Sequence, residues 1–379
     1  MDTVCARVAG LTGTPDTAAT FDRYARVSRP LARAILALLA AFIFVAAIAP
    51  GYSPPPPPPP KVVVSDSSGQ KVAKDDDNDL RLYRLINERI ARGDDYYVAA
   101  TEEQRTNGYP VAPGFTVRLP TLAMVSVALG AKGLIALQIL LFAAMLMAIA
   151  GRLRFEQGQE PPRPMALALL TVGIASGLSA HYNMLHEIWA AQLIALSFGL
   201  HRPGAGRWKG AWLAAAAALA VRELALPFVL LMAAWALWHR RWREGAAWLV
   251  LIALFVAAMV IHLGHAEAQI RPGDPVSPSW LAVKGIAGLM YKVNNSTVFS
   301  LLPLWLSGPL VVLALFGWSG WRTPMGSFAT LLTFGYAFAF SIAGRDNNFY
   351  WGILITPILF MGLAFLPLAL PSLVRRARG

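Results

Sequence analysis

A single cysteine, Cys5, stands in a chain of 379 residues, so no disulfide can close within it, and cysteine usage says nothing about its redox compartment. Charge is scarce as well. Only 14% of residues are charged against 56% hydrophobic, with a mean hydropathy of +0.51, which excludes an ordinary soluble domain of this length. Acidic residues are outnumbered 21 to 33, giving a net charge of +12. The basic residues fall in short clusters between apolar runs, the pattern of cytosolic loops in membrane proteins, so nucleic acid is not the expected partner. No Walker loop, dinucleotide fingerprint or seryl hydrolase motif occurs. His181, His186 and Glu187 lack the spacing of a zinc site, so no metal ligand is assigned, no cofactor is required, and a divalent metal has no motif behind it.

What the sequence does contain is one polar island, residues 74–120, inside otherwise apolar sequence. Asp79, Tyr83, Ile86 and Ile90 recur at helical spacing, with Leu82 alongside, while Arg84, Glu88 and Arg92 form successive opposite-charge pairs on another face. Asn78 or Asp77 can cap the start of this helix, Gly93 can end it, and Asp94 and Asp95 read as turn residues. An ionisable carboxylate thus leads the face that must dock on something apolar. Ahead of the island, residues 54–60 are an unbroken proline run, a stiff spacer of about 20 Å, and residues 61–74 suggest a small hairpin.

The expected fold is an all-α polytopic membrane protein of about ten transmembrane helices, with a large first external loop carrying short amphipathic helices. Residues 1–30 are a cytosolic segment, 31–49 the first span, 50–120 the external loop, 121–374 the multi-helix transmembrane domain and 375–379 the cytosolic end. Residues 121–150 exceed one span, so their first part should lie along the interface. Residues 211–238 have basic flanks on both sides, yet roughly 28 residues cannot make two full spans. They hold Arg222, Glu223 and Pro227, and read as a short helical pair turning within the membrane domain, with its polar tip in a cavity. The basic clusters place both termini in the cytosol. The long loop, the Arg222 and Glu223 tip and the segment around Arg345 then share the external face, the expected site.

Each candidate has a plain structural reading beside the chemical one. Asp79 is either a general base or a first-turn acid favoured by the helix dipole, and Asp77 is the fallback base within a solvated acidic run. Arg222 and Glu223 either act on a substrate or neutralise one another. Tyr83 and Tyr109 either meet a substrate or pack the loop down. His181 and His186 are candidate substrate-binding or capping residues at the outer ends of apolar runs.

Asp79 through Tyr83, the helix ending at Gly93, the following Asp95, Tyr96 and Tyr97, and then Gly108, Tyr109, Pro110 and Pro113 form a run that resembles the first external loop of C-type integral-membrane glycosyltransferases. The nearest likeness is to their polyprenyl-phosphate-sugar-dependent, mannosyltransferase-like branch, and it extends to Arg222 with Glu223 and to Arg345 with Tyr350. One departure is that about 29 residues, including the proline run, separate the acidic residue from the first span. The resemblance implies a glycosyltransferase of the bacterial inner membrane with its active site facing the periplasm. A sugar would pass from a polyprenyl-phosphate donor to a hydroxyl of a glycan, lipid or protein acceptor, with inversion. Asp79 would be the base, Arg222, Arg345 and Arg118 would hold the donor phosphate, and Tyr83, Tyr109, Glu223, His181 and His186 would contact substrate. A catalytically silent assembly partner of the same fold and a multi-helix transporter are the competing functions.

Overall fold

The computed structural model describes residues 22–49, 78–156, 163–203 and 206–379. The proline run, the hairpin at 61–74, and Asp75 to Asp77 with the fallback base Asp77 lie outside the described residues. Fourteen α-helices are described: α1 (Arg29–Ile48), α2 (Asn78–Ala91), α3 (Tyr96–Thr106), α4 (Thr121–Phe155), α5 (Arg163–Gly173), α6 (His186–Leu200) and α7 (Lys209–Val221). They continue with α8 (Leu226–Trp238), α9 (Trp242–Glu267), α10 (Gly285–Asn295), α11 (Leu304–Gly320), α12 (Pro324–Ile342), α13 (Thr356–Met361) and α14 (Leu366–Arg378). The all-α expectation holds among these residues, where only isolated β-bridges occur.

The count of about ten spans is corrected. Among the described residues, five helices are long and apolar enough to cross a membrane: α1, α4 with the turn before it, α9, α12, and the run from α13 through α14. The physical reason is interruption. The expected crossing at 167–180 stops as a helix at Gly173 and continues as short 3-10 turns through Tyr182, and α11 has only 17 residues. At 1.5 Å per residue, the 13 residues of α7 or of α8 reach about 20 Å, short of a hydrocarbon core of about 30 Å. The expected pair within 211–238 is present as these two helices, separated by extended Arg222 and a 3-10 turn at Glu223–Ala225. α4 likewise bends at Gly130, whose φ of 64° only glycine adopts readily, dividing its first turns from the long remainder.

Apolar side chains point outward as well as inward on the long helices. Leu140 on α4, Val260 on α9 and Phe338 on α12 are each about two-thirds exposed, a surface suited to hydrocarbon rather than water. The interior is closely packed around Trp248, Trp318, Trp321, Phe228 and Phe360. At Gly308 a Cβ would sit 2.3 Å from the Ala46 carbonyl oxygen, so α1 and α11 meet backbone to backbone.

The bundle has two unlike ends. At one, Arg202 lies against Gly151 of α4, His201 meets Phe328 near the start of α12, and Asp22 to Val27 pack on Trp321, Ser319 and Arg376. The basic residues Arg152, Arg202 and Arg241 gather here. At the other, the outer turns of α9 reach the polar island through His262, whose Nε2 lies 3.2 Å from the Val117 carbonyl. The 26 residues of α9 set these ends about 39 Å apart. In a Cys5→Ser background, cysteines at Ser279 and Arg243 are therefore expected to label from opposite sides of a sealed vesicle with an impermeant thiol reagent. Labelling of both from one side would remove α9 as a span.

Candidate functional site

The polar island folds as its pattern dictates. Leu82 and Ile86 of α2 are buried with Tyr96, Ala100 and Val117, whereas Glu88 and Arg92 stay exposed. Gly93, at φ 100°, ends the helix, and Asp95 caps α3 by accepting from the Tyr97 and Val98 amides. Asp94 pairs with Arg89 at 2.6 Å. α3 then fixes the segment entering α4, because Tyr96 Oη donates to the Arg118 carbonyl at 2.6 Å and Gln104 Nε2 to the Thr116 carbonyl at 3.1 Å. These backbone contacts set where the Arg118 guanidinium emerges.

A cavity of about 110 Å³ lies under α2. Of the residues singled out by sequence, Asp79, Tyr83, Tyr109, Arg118, His186 and Arg345 all line it. They come from four separated stretches of chain. Tyr350 Oη donates to Asp79 Oδ2 at 3.1 Å, and Tyr109 also hydrogen-bonds the Asp79 carboxylate. Arg118 reaches Tyr350 Oη with Nη2 at 3.4 Å and Tyr83 Oη with Nε at 3.3 Å. Burial first, and the neighbouring Asp79 charge second, push the Tyr109 and Tyr350 phenols up from their usual range. Both therefore remain protonated at neutral pH and donate to the carboxylate. His186 is 4% exposed, edge-on to Tyr83 with ring centroids 5.1 Å apart, and neither of its ring nitrogens has a partner. An unsatisfied buried imidazole on a cavity wall is a group awaiting something polar. Across the cavity, the Arg345 guanidinium lies 5.5 Å from the centroid of the Trp280 ring, with its Nε unpartnered.

A second cavity, of about 590 Å³, shares Asp79, Asn347 and Tyr350 with the first. Its other walls are largely apolar, including Leu185, Ile188, Val298, Leu301 and Ile353, and Leu301 is 84% exposed at its rim. Asp79 therefore stands on the partition between a polar chamber with two arginines and a larger chamber with apolar sides.

Three candidates are placed elsewhere. Arg222 is completely buried and does not line either cavity. Its Nε donates to Glu187 Oε1 at 2.6 Å and its Nη1 to Glu223, so two carboxylates already answer its charge. Glu223 is held in this pair, and His181 is an exposed residue edge-on to Tyr182. The antiparallel packing of α6 on α7 explains the pair. Glu187 is in the first turn of α6 and Arg222 follows the last turn of α7, so each charge also favours its own helix dipole. Trp280, Asn347, Asn348 and Tyr350 complete the first cavity without having been assigned a site role from sequence. The signal for the two asparagines was a short polar break, 344–348, and Tyr350 opens the apolar run that follows it. No group of three or more His, Cys, Asp or Glu that could hold a metal occurs among the described residues.

The wall carrying Trp280 is fastened to the island. Arg105 grips Asp274 through two bonds of 2.6 and 2.8 Å, Val111 N donates to the Pro275 carbonyl, and Ser277 N to that of Ala112.

Among the described residues, these features define an all-α fold with five helices of membrane-crossing length and a polar cavity roofed by an amphipathic helix. Comparisons with models of known families, with curated proteins and with solved structures find no match.

Two outcomes follow from this geometry. Arg222→Ala leaves Glu187 fully buried without a cation and the partly exposed Glu223 unpaired, and is expected to cost about 3–5 kcal/mol of stability, read as a large drop in the melting midpoint in detergent; a midpoint unchanged from wild type would contradict the pairing. The Arg105 hydrogen bonds, followed by the Arg271 amide, hold the Asp274 carboxyl down at about 2. A depressed carboxyl stabilises above its unfolded value, about 3.9, and the effect is lost as pH falls through about 2. Hydrogen-exchange protection factors over 109–113 and 268–280 should hold from pH 7 to 4.5 and decline below about pH 3. In Asp274→Asn they should be low throughout.

Proposed function

We propose that this chain is a membrane glycosyltransferase that moves a sugar from a polyprenyl-phosphate donor to an acceptor hydroxyl. The reaction is placed on the external face of a bacterial inner membrane, with the basic end of the bundle and both termini in the cytosol. The observation that carries the reading is the position of Asp79, hydrogen-bonded by Tyr350 on the partition between an arginine-lined chamber and an apolar one. A lipid-phosphate sugar needs both environments at one carboxylate.

In this mechanism the Asp79 carboxylate takes the hydroxyl proton as the acceptor oxygen attacks the anomeric carbon. The bond from that carbon to the phosphate oxygen breaks, and the departing phosphate keeps the electron pair. Arg118 and Arg345 stand where cations would stabilise that charge, in a site partly shielded from water. A single displacement inverts the anomeric centre, with oxocarbenium character in the transition state. Tyr350 and Tyr109 fix the carboxylate, and His186, with both nitrogens unpartnered, is assigned to a substrate hydroxyl. Arg222 supports the site indirectly by holding the start of α6, and so His186, through Glu187.

The test is release of polyprenyl phosphate by purified protein given a panel of polyprenyl-phosphate sugars. Asp79→Asn removes the charge and keeps the shape, and is expected to lower turnover about 100-fold or more with an unchanged melting midpoint. Wild-type turnover in Asp79→Asn together with loss in Asp77→Asn would move the base to Asp77. Absence of release from every donor by the wild-type protein would remove the reading.

A further inference from the structure

The opposite end of the bundle carries a group of cations that the catalytic reading does not use. Arg152, at the end of α4, is 4% exposed and pairs with Glu156 at 2.7 Å through Nη2, yet its Nε and Nη1 are buried with no hydrogen-bond partner. Arg202, in the turn between α6 and α7, lies over the adjacent Gly151 so closely that a Cβ there would sit 2.2 Å from its Nη2. Arg241, in the turn between α8 and α9, is also within electrostatic reach of Arg152, and its Nη2 is unpartnered.

The acids nearby are already engaged. Glu156 answers Arg152, while Glu244 is held by His201 at 2.7 Å and by Trp248 at 3.3 Å, with Arg241 Nε 3.4 Å away. Three guanidinium groups from three different elements thus converge with two carboxylates between them, and buried donors are left over. Arginine donors in this arrangement suit the oxygens of a phosphate. The depth of the cluster selects the source of that phosphate. Trp238 and Trp242, at 84% and 66% exposure, flank Arg241 on the outer surface, and exposed tryptophans beside apolar helices mark the level of lipid headgroups.

We propose that Arg152, Arg202 and Arg241 form a binding site for the phosphodiester headgroup of an anionic phospholipid, seated between α4 and the two helical turns. The lipid's phosphate meets the half-buried Arg202 and Arg241, its glycerol and acyl chains lie along the apolar outer surface beside Trp238 and Trp242, and Arg152 with Glu156 forms the floor. A basic pocket between helices at headgroup depth is a recognised way of holding such lipids. The ligand, and the end of the bundle it occupies, are separate from the Asp79 cavity.

The experiment uses the purified full-length protein in a neutral detergent, titrated with phosphatidylglycerol, phosphatidylcholine or inorganic phosphate and followed by melting midpoint and native mass spectrometry. Phosphatidylglycerol is expected to raise the midpoint and to survive as an adduct, and phosphatidylcholine to do neither. Arg202→Gln and Arg241→Gln should each weaken apparent phosphatidylglycerol affinity about tenfold or more, as loss of a charged hydrogen-bonding group would. Arg375→Gln on α14 removes the same charge elsewhere and should stay within about twofold. Arg202→Lys, which keeps the charge and loses the fork, should fall between wild type and Arg202→Gln, and it serves if the glutamine variants do not fold. Equal effects of the two lipids, equal affinity in the cluster variants and the Arg375 control, or full protection by millimolar inorganic phosphate alone would each overturn the proposal.

Discussion

The buried ion pair between Arg222 and Glu187 is the contact on which the rest of this architecture turns. A guanidinium with no exposed surface among apolar helices is tenable only if its charge and its donors are answered locally. The chain answers the charge, and the Nε and Nη1 donors, by ending α7 at Arg222, starting α6 just before Glu187, and packing the two helices antiparallel, which leaves Nη2 buried without a partner. The same contact explains why α7 and α8 are short. Their meeting point is a polar turn that must stay near the end of the bundle that carries the polar island, against the other polar residues there. Tyr336 of α12 secures that turn by donating to the Leu224 carbonyl at 2.8 Å.

From that anchor the end carrying the polar island is assembled in layers. The start of α6 presents His186 upward, α2 lies across it with Tyr83 edge-on to the imidazole, and α3 pins the segment that delivers Arg118. The break at 344–354 brings Arg345 and Tyr350 from the far side. Side chains far apart in the chain thus face one cavity, with Arg118 set by backbone contacts from α3 and Asp79 held by the Tyr350 hydroxyl. Such support from behind is what a preorganised site requires.

Much of the fold was legible in residue order because a few patterns are unambiguous. The helical spacing from Asp79 to Ile90, its stop at Gly93, the apolar runs of α1, α4, α9 and α12, and the polar interruption at Arg222 each follow from local periodicity and charge. The number of crossings was not legible. Apolar length alone does not distinguish a helix exposed to lipid from a short one packed inside: α6, with 15 residues, is of the second kind, and α11, with 17, exposes only its first turn. Hydropathy measures what a segment tolerates, whereas burial by neighbours decides how much of the membrane it must cross.

The candidate site divides in the same way. The sequence by itself determined which chemistry-bearing side chains interrupt the apolar background: Asp79, Arg118, His186, Arg222 and Arg345 are all there, because an ionisable group among apolar runs needs a reason. Only the tertiary structure decided which of them share a cavity. Arg118 and Arg345 came to face Asp79, while Arg222, equally conspicuous in the sequence, was turned inward against Glu187. Tyr350 acquired its place on Asp79 by folding across 271 positions of chain. The reason is that a charge records only that it must be compensated; the partner is chosen by helix packing, which depends on contacts between segments that no local pattern encodes.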